Sequence, residues 1–210
     1  MITRRLFLVV VSLAAIAGWM TTSAQADSRS EAAARFVQDL GARAVDVLIQ
    51  PDLERAESEE RFRTLLSEGF DVPYIGRFVL GRYWLAASPD QQREYLDLFE
   101  KLIIQVYADR FSEYSAGNLD LGETLRILGH RPEGERDAIV DSQIVRPDGP
   151  PVAVQWRVRD RDGTPKIIDV AVEGVSMSVT QRNEFSSVIQ RGGGQIEALL
   201  RALRDRTAGG

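Results

Sequence analysis

The single histidine, His130, is the first residue to weigh for chemistry, because an imidazole titrates near neutral pH and serves as general base or metal ligand. As a base it needs a nucleophile and an orienting carboxylate, and the flanking Leu128-Gly129 and Arg131-Pro132 supply neither. Asp160, Asp162 and Gly163 resemble the opening of a calcium loop. The third acidic ligand is missing, however, and Pro165 and Lys166 stand where further ligands belong, so the segment reads as a hairpin turn. Gly76 to Gly81 and the triple glycine 192–194 lack the Gly-Lys-Ser/Thr of a phosphate loop and read as helix punctuation. With no cysteine there is no disulfide framework, zinc finger, iron–sulfur cluster or thiol nucleophile. A net charge of −5 argues against a general nucleic-acid binder, and acids are interleaved with arginines as on a solvated surface.

The elements that would position these residues begin after a targeting segment. Arg4 and Arg5 form a positive start, Leu6 to Met20 is almost uninterruptedly apolar, and Ala24-Gln25-Ala26 is a small-x-small cleavage pattern. The apolar run falls short of the roughly 20 residues needed to span a bilayer. Residues 1–26 therefore read as a cleaved signal peptide, and 27–210 as a single exported domain. Thr3-Arg4-Arg5-Leu6-Phe7-Leu8 also resembles a twin-arginine signal, so both Sec and twin-arginine routes stay open. Loss of the two arginines takes the net charge to −7.

From Ser28 to Tyr114 the apolar residues recur at helical spacing. Asp71 can cap a short helix with Pro73 in its first turn and Gly81 at its end, and Ser88-Pro89-Asp90-Gln91 is a capping box ahead of a long helix. After Gly117 the period becomes two. Val152, Val154, Trp156 and Val158 alternate with Ala153, Gln155, Arg157 and Arg159, with turn signals on both sides. Segments 138–145 and 167–172 complete an antiparallel meander, and Leu125 to Leu128 makes a fourth strand. Ser178 or Thr180 caps a helix through Ile189, and 195–204 is a final helix. Helices, then strands, then helices predict an α+β fold: a four-stranded antiparallel sheet packed against a helical layer. Aromatic and aliphatic stripes on these elements serve equally as plain core or as pocket wall.

Three segments resemble the MlaC, or toluene-tolerance (Ttg2-type), family of periplasmic phospholipid-binding proteins. The first is Phe70-Asp71-Val72-Pro73-Tyr74-Ile75-Gly76-Arg77-Phe78-Val79-Leu80-Gly81-Arg82-Tyr83-Trp84, the second is Tyr107, Phe111 and Tyr114, and the third is the run from Ile167 to Met177 leading into Arg182, Asn183, Glu184 and Phe185. Pro165 departs from the family pattern at the hairpin.

The resemblance implies a soluble carrier that moves glycerophospholipid between outer and inner membranes and maintains outer-membrane lipid asymmetry. It implies no catalysis and no cofactor beyond the bound lipid. The implied partners are an inner-membrane ABC transporter with a hexameric substrate-binding ring and an outer-membrane lipoprotein–porin complex. The implied acyl-chain cavity lies between sheet and helices. Its wall would be Val140, Ile144, Val154, Trp156, Val158, Ile168, Val170 and Val172 from the strands, with Ser142 on the same face, and Tyr74, Phe78, Phe99, Ile103 and Tyr107 from the helices. Two other readings stay open at this point. One is a cone-shaped α+β enzyme of ketosteroid-isomerase-like type, with Asp141 or Asp169 as base, although Asp169 is out of phase with Ile168 and Val170. The other is a periplasmic chaperone or adaptor with no lipid cavity.

Overall fold

The computed structural model describes residues 25–44, 54–115, 125–145, 149–161 and 163–208, with the backbone alone at 55, 58 and 107–115. Residues 25–44 form helix α1. Then come α2 (Arg55–Gly69), α3 (Val72–Leu80), α4 (Arg82–Ala86) and the long α5 (Pro89–Ser115). The strands are β1 (Leu125–Glu133), β2 (Asp137–Ile144), β3 (Val152–Arg161), β4 (Thr164–Val172) and β5 (Val175–Ser176), followed by α6 (Met177–Arg191) and α7 (Ile196–Thr207). The expected signal peptide lies outside the described residues except for Gln25 and Ala26, which are helical.

Local chemistry sets several helix ends. The Asp71 carboxylate accepts from the Tyr74 N–H at 3.1 Å, with proline in the first turn of α3. Ser88 and Gln91 close a reciprocal capping box at 3.2 and 3.1 Å. Gly81, at φ +58°, turns the chain from α3 into α4, a conformation that side chains with a Cβ rarely adopt. Helix α6 starts earlier than expected, because Ser176 and not Ser178 or Thr180 is its cap, accepting from the Val179 N–H at 3.1 Å. The cause sits on β4. Asp169 accepts from the Ser176 hydroxyl at 2.6 Å and from the Ser178 N–H and hydroxyl at 3.1 and 2.7 Å. A carboxylate from a neighbouring strand thus sits at the positive end of the helix.

The sheet is an antiparallel meander in the order β1-β2-β3-β4-β5. The four expected strands are present, and the two-residue β5 is an addition. It arises because Glu173 (φ 50°) and Gly174 (φ 78°) make the doubly left-handed turn that suits a tight hairpin. One sheet face carries the rows Ala138–Val158–Ile167, Val140–Trp156–Val170 and Ser142–Val154–Val172. The register shifts between Arg157 and Val158: Asp169 pairs with Arg157 and Ile167 with Val158, so Ile168 is the extra, unpaired residue. Simple alternation places Ile168 in the row beside Val158; the bulge puts Ile167 there, fully buried.

Two apolar clusters hold the molecule together. In the first, Ala33, Ala34, Val37 and Leu40 of α1 and Leu65 of α2 lie on Ala138, Val140, Val158 and Ile167 of the sheet. The second is helical: Leu66, Val72, Val79, Leu80, Tyr95, Leu98, Phe99 and Leu102 meet Phe185, Ile189, Leu199, Leu200 and Leu203. Phe62 of α2 and Phe70, just beyond it, pack against both. Among the described residues α5 packs chiefly on α7, α2 and α3, and α2, which also touches β4, links the long helix to the strands.

Candidate functional site

The residues expected to wall an acyl-chain cavity fall on the two clusters rather than on one surface. From the strands, Val140 and Val158 are buried in the sheet-side cluster, with Trp156 and Val170 half-buried against it. Val154 is buried in the next row, beside the half-buried Val172, and Ile144 is half-buried at the end of β2. Ile168 is buried at the bulge. Phe99 is buried in the helical cluster, and Phe78 and Ile103 pack against it. The backbone of Tyr107 is helical, and its side chain lies outside the described part of the structure.

Phe99 stacks on Tyr95 with centroids 5.7 Å apart and meets Phe185 edge-on at 6.2 Å. The Tyr95 hydroxyl donates to the Gly76 carbonyl at 3.0 Å, and burial pushes its phenol well above the ordinary range. On the sheet side the indole of Trp156 is satisfied by Ser142, which is buried and donates in turn to the Val154 carbonyl. The face beneath α1 and α2 is thus apolar, and its polar atoms are internally paired.

At the end of the β2–β3 ladder away from their connecting turn, polar groups gather. Asp137, only 4% exposed, accepts from Arg159 at 2.6 and 2.9 Å and from Arg157 at 2.8 Å. Burial raises its carboxyl, but the two guanidiniums outweigh that and hold it below the usual carboxylate range. The Arg159 guanidinium also lies over the ring of Tyr74, 4.6 Å from its centroid, and its own pKa is raised chiefly by Asp137. Tyr74 therefore belongs to this polar edge. Nearby, Asp71 forms an ion pair with Arg161 at 2.9 Å. Sequence spacing gave no sign of this network, because acids and arginines alternate along the whole chain.

The structure brings His130 a partner that its sequence neighbours do not suggest. Its Nδ1 lies 3.0 Å from the hydroxyl of Ser30 on α1. Ser30 is 1% exposed and its hydroxyl also reaches the Asp27 carbonyl at 2.9 Å, the bond of a helical serine to its own backbone. The pair ties α1 to β1. The two carboxylates considered as bases are engaged elsewhere: Asp141 takes Arg131 at 2.5 Å and Gln155 at 2.7 Å, and Asp169 caps α6. Among the described residues, no three metal-ligating acids or histidines converge.

Two depressions border the sheet-side layer. One, of about 450 Å³, is a shallow surface feature against Gln38, Leu125, Arg126 and Ile127. The other, of about 300 Å³, runs between the first turns of α1 and the strands. Ala32, Ala33, Ala138, Val158 and Pro165 form its apolar wall, and Gln25, Ser28, Arg29, Asp160 and Gly163 its rim.

The profile of the family described as MlaC protein matches residues 38–205, which includes all three segments noted in the sequence. The chain belongs to the MlaC family. Among MlaC relatives, the Haemophilus influenzae intermembrane phospholipid transport system binding protein MlaC is 25% identical over 138 residues, 64% of this chain and 61% of that protein. The toluene tolerance protein ttg2D of Pseudomonas putida is 22% identical over 119 residues, 57% of this chain and 53% of that protein. The matches thus span less than two thirds of these curated relatives. A solved structure, the phospholipid-binding protein from Ralstonia solanacearum in complex with a phospholipid, superposes with a TM-score of 0.69 at 25% identity. It covers 83% of this chain and 96% of that one. No helix among the described residues is long and apolar enough to cross a membrane.

Proposed function

We propose that this MlaC-family protein is a soluble periplasmic phospholipid carrier. It moves glycerophospholipid between outer and inner membranes and so maintains outer-membrane lipid asymmetry, without performing a reaction. The observation that supports this reading best is the likeness, over most of both chains, to a protein solved with phospholipid bound. Residues 1–26 direct export and are cleaved after Ala26. The lipid is exchanged at an inner-membrane ABC transporter with a hexameric substrate-binding ring and at an outer-membrane lipoprotein–porin complex.

The acyl chains lie on the apolar sheet face, with Val140, Val154, Trp156, Val158, Val170 and Val172 as floor. They enter through the opening beside α1. That helix is suited to yield in its first half, where it meets the sheet through Ala33, Ala34 and Val37, smaller side chains than the Leu40 that follows. Two chains of on the order of 30 methylenes gain roughly 24 kcal/mol by burial, beyond the practical ceiling on affinity. Escape into water is negligible on that scale, so exchange takes place on a docked partner.

Organic extraction of the purified protein followed by mass spectrometry tests the proposal. Phospholipid near one per chain is expected. A protein that emerges empty, and stays empty after incubation with liposomes, overturns it.

A further inference from the structure

The stretch 72–89 contains two arginines and no acid, in a chain that carries 31 acids. Arg77 lies over the indole of Trp84, 5.2 Å from the ring centroid. Arg82 lies over Tyr83 at 5.0 Å and donates to its hydroxyl at 3.0 Å. From α6, Arg182 covers Phe78 at 5.1 Å and passes so close to Gly81 that a Cβ there would meet its Nε at 3.0 Å. Among the described residues none of these three guanidiniums pairs with a carboxylate. Arg131, Arg157, Arg159, Arg161 and Arg204 all do. Beside them Leu85 projects from α4 with 88% of its surface exposed, and Val179, one turn before Arg182 on α6, is 45% exposed.

We propose that this face, made by α3, α4 and the start of α6, docks reversibly on an anionic phospholipid surface. Its three guanidiniums are complementary to lipid phosphates, and among the described residues none of them is held in an ion pair. Trp84 and Tyr83 are half-buried against the helical cluster beneath Arg77 and Arg82, so on docking their amphipathic rings meet the headgroup level while the exposed Leu85 enters the acyl boundary. A protein partner would seat such an anchor in a matching cleft, with apolar recesses around it. Here the leucine protrudes from a convex short helix, and both depressions described above lie elsewhere on the molecule. A fluid bilayer needs no such complementarity. The inference is independent of internal lipid binding, because a chain that carries no lipid would dock in the same way.

Flotation with vesicles of phosphatidylcholine, with and without phosphatidylglycerol, tests it. The purified chain should float with the anionic vesicles alone and be released by high salt. Arg77→Gln and Arg82→Gln should each weaken partitioning roughly fivefold, Arg82→Lys should retain it, and Leu85→Ser should weaken it about tenfold. At its exposure Leu85→Ser leaves the fold intact, which thermal melting verifies. Quenching of Trp84 by brominated lipid, lost in Trp84→Phe, should accompany binding. All variants share one N-terminus, so binding through the apolar run 6–20 would appear equally on neutral vesicles and in every variant, and that result overturns the proposal. Failure to float, or retention on an acidic polypeptide matrix without flotation, overturns it as well.

Discussion

The indole N–H of Trp156 on β3 donates to the Ser142 hydroxyl on β2 at 2.8 Å, and that hydroxyl donates onward to the Val154 carbonyl at 2.9 Å. Ser142 is 2% exposed, so solvent cannot take its place. Ser142→Ala should cost about 1–3 kcal/mol by stranding a donor in an apolar layer. Trp156→Phe in the same background should cost less than it does alone, since the donor is already unsatisfied. Urea unfolding of the four species in a double-mutant cycle measures this, and strictly additive losses would show that the bond carries no coupling.

Asp137 gives the fold an acid-sensitive point. Its carboxyl titrates lower in the folded chain than in the unfolded one. The contribution is therefore present above the unfolded value, near 4, and disappears as pH falls through the folded value. Stability should drop steeply in that acid range for the wild type and less steeply for Asp137→Asn. At neutral pH the variant should be about 2 kcal/mol weaker, having lost charge-assisted hydrogen bonds from two arginines. Thermal melts across acid pH compare the slopes, and parallel slopes would refute the assignment.

Phe99, only 3% exposed, is enclosed by Tyr95 and Phe185. Phe99→Ala should cost about 3–5 kcal/mol through lost burial and the cavity left behind. Phe99→Leu should cost less than half of that, because much of the volume is kept. Denaturant midpoints distinguish the two. A mild effect from alanine would mean that the helical cluster collapses onto the gap.

Gly192 separates α6 from α7, and a Cβ built on it would stand 2.1 Å from the Cβ of Ala198. Gly192→Ala should destabilise by about 1–3 kcal/mol by forcing the helices apart. Adding Ala198→Gly removes the clash and should restore part of the loss, less the helix propensity given up at residue 198. Failure of the second change to help would move the cause to the backbone.

Features set by near neighbours were legible in the sequence. Asp71, Gly81 and the Ser88–Gln91 box depend on contacts within one helical turn, and the strand runs announce themselves by alternation. What escaped was set by distant partners. Ser178 or Thr180 reads as the cap of α6 in the sequence, and Ser176 takes the place because Asp169, brought in by β4, holds its hydroxyl. Ile167 and Ile168 are the same residue type, so no pattern could tell which one the bulge turns beneath α1. The candidate wall was only partly readable for a related reason. Val140 and Phe99 are equally apolar, and their assignment to different clusters depends on α2, which links the long helix to the strands. His130 lacked a partner until α1 crossed β1 and brought Ser30, a hundred residues away in the chain, within 3.0 Å.

The unbroken meander also sets the order in which the molecule can assemble. Every strand pairs with its neighbour in sequence, so each hairpin can close as soon as its second strand is available, with little entropy lost to loop closure. The helical half must wait. Its interior is completed by Leu199, Leu200 and Leu203, and α7 is fastened to α5 by Gln105 on the Thr207 carbonyl and by Arg204 on Glu94. A chain delivered from its N-terminus therefore has its long helix against α2 and α3 and its sheet ladder in place before α7 arrives to complete the helical interior.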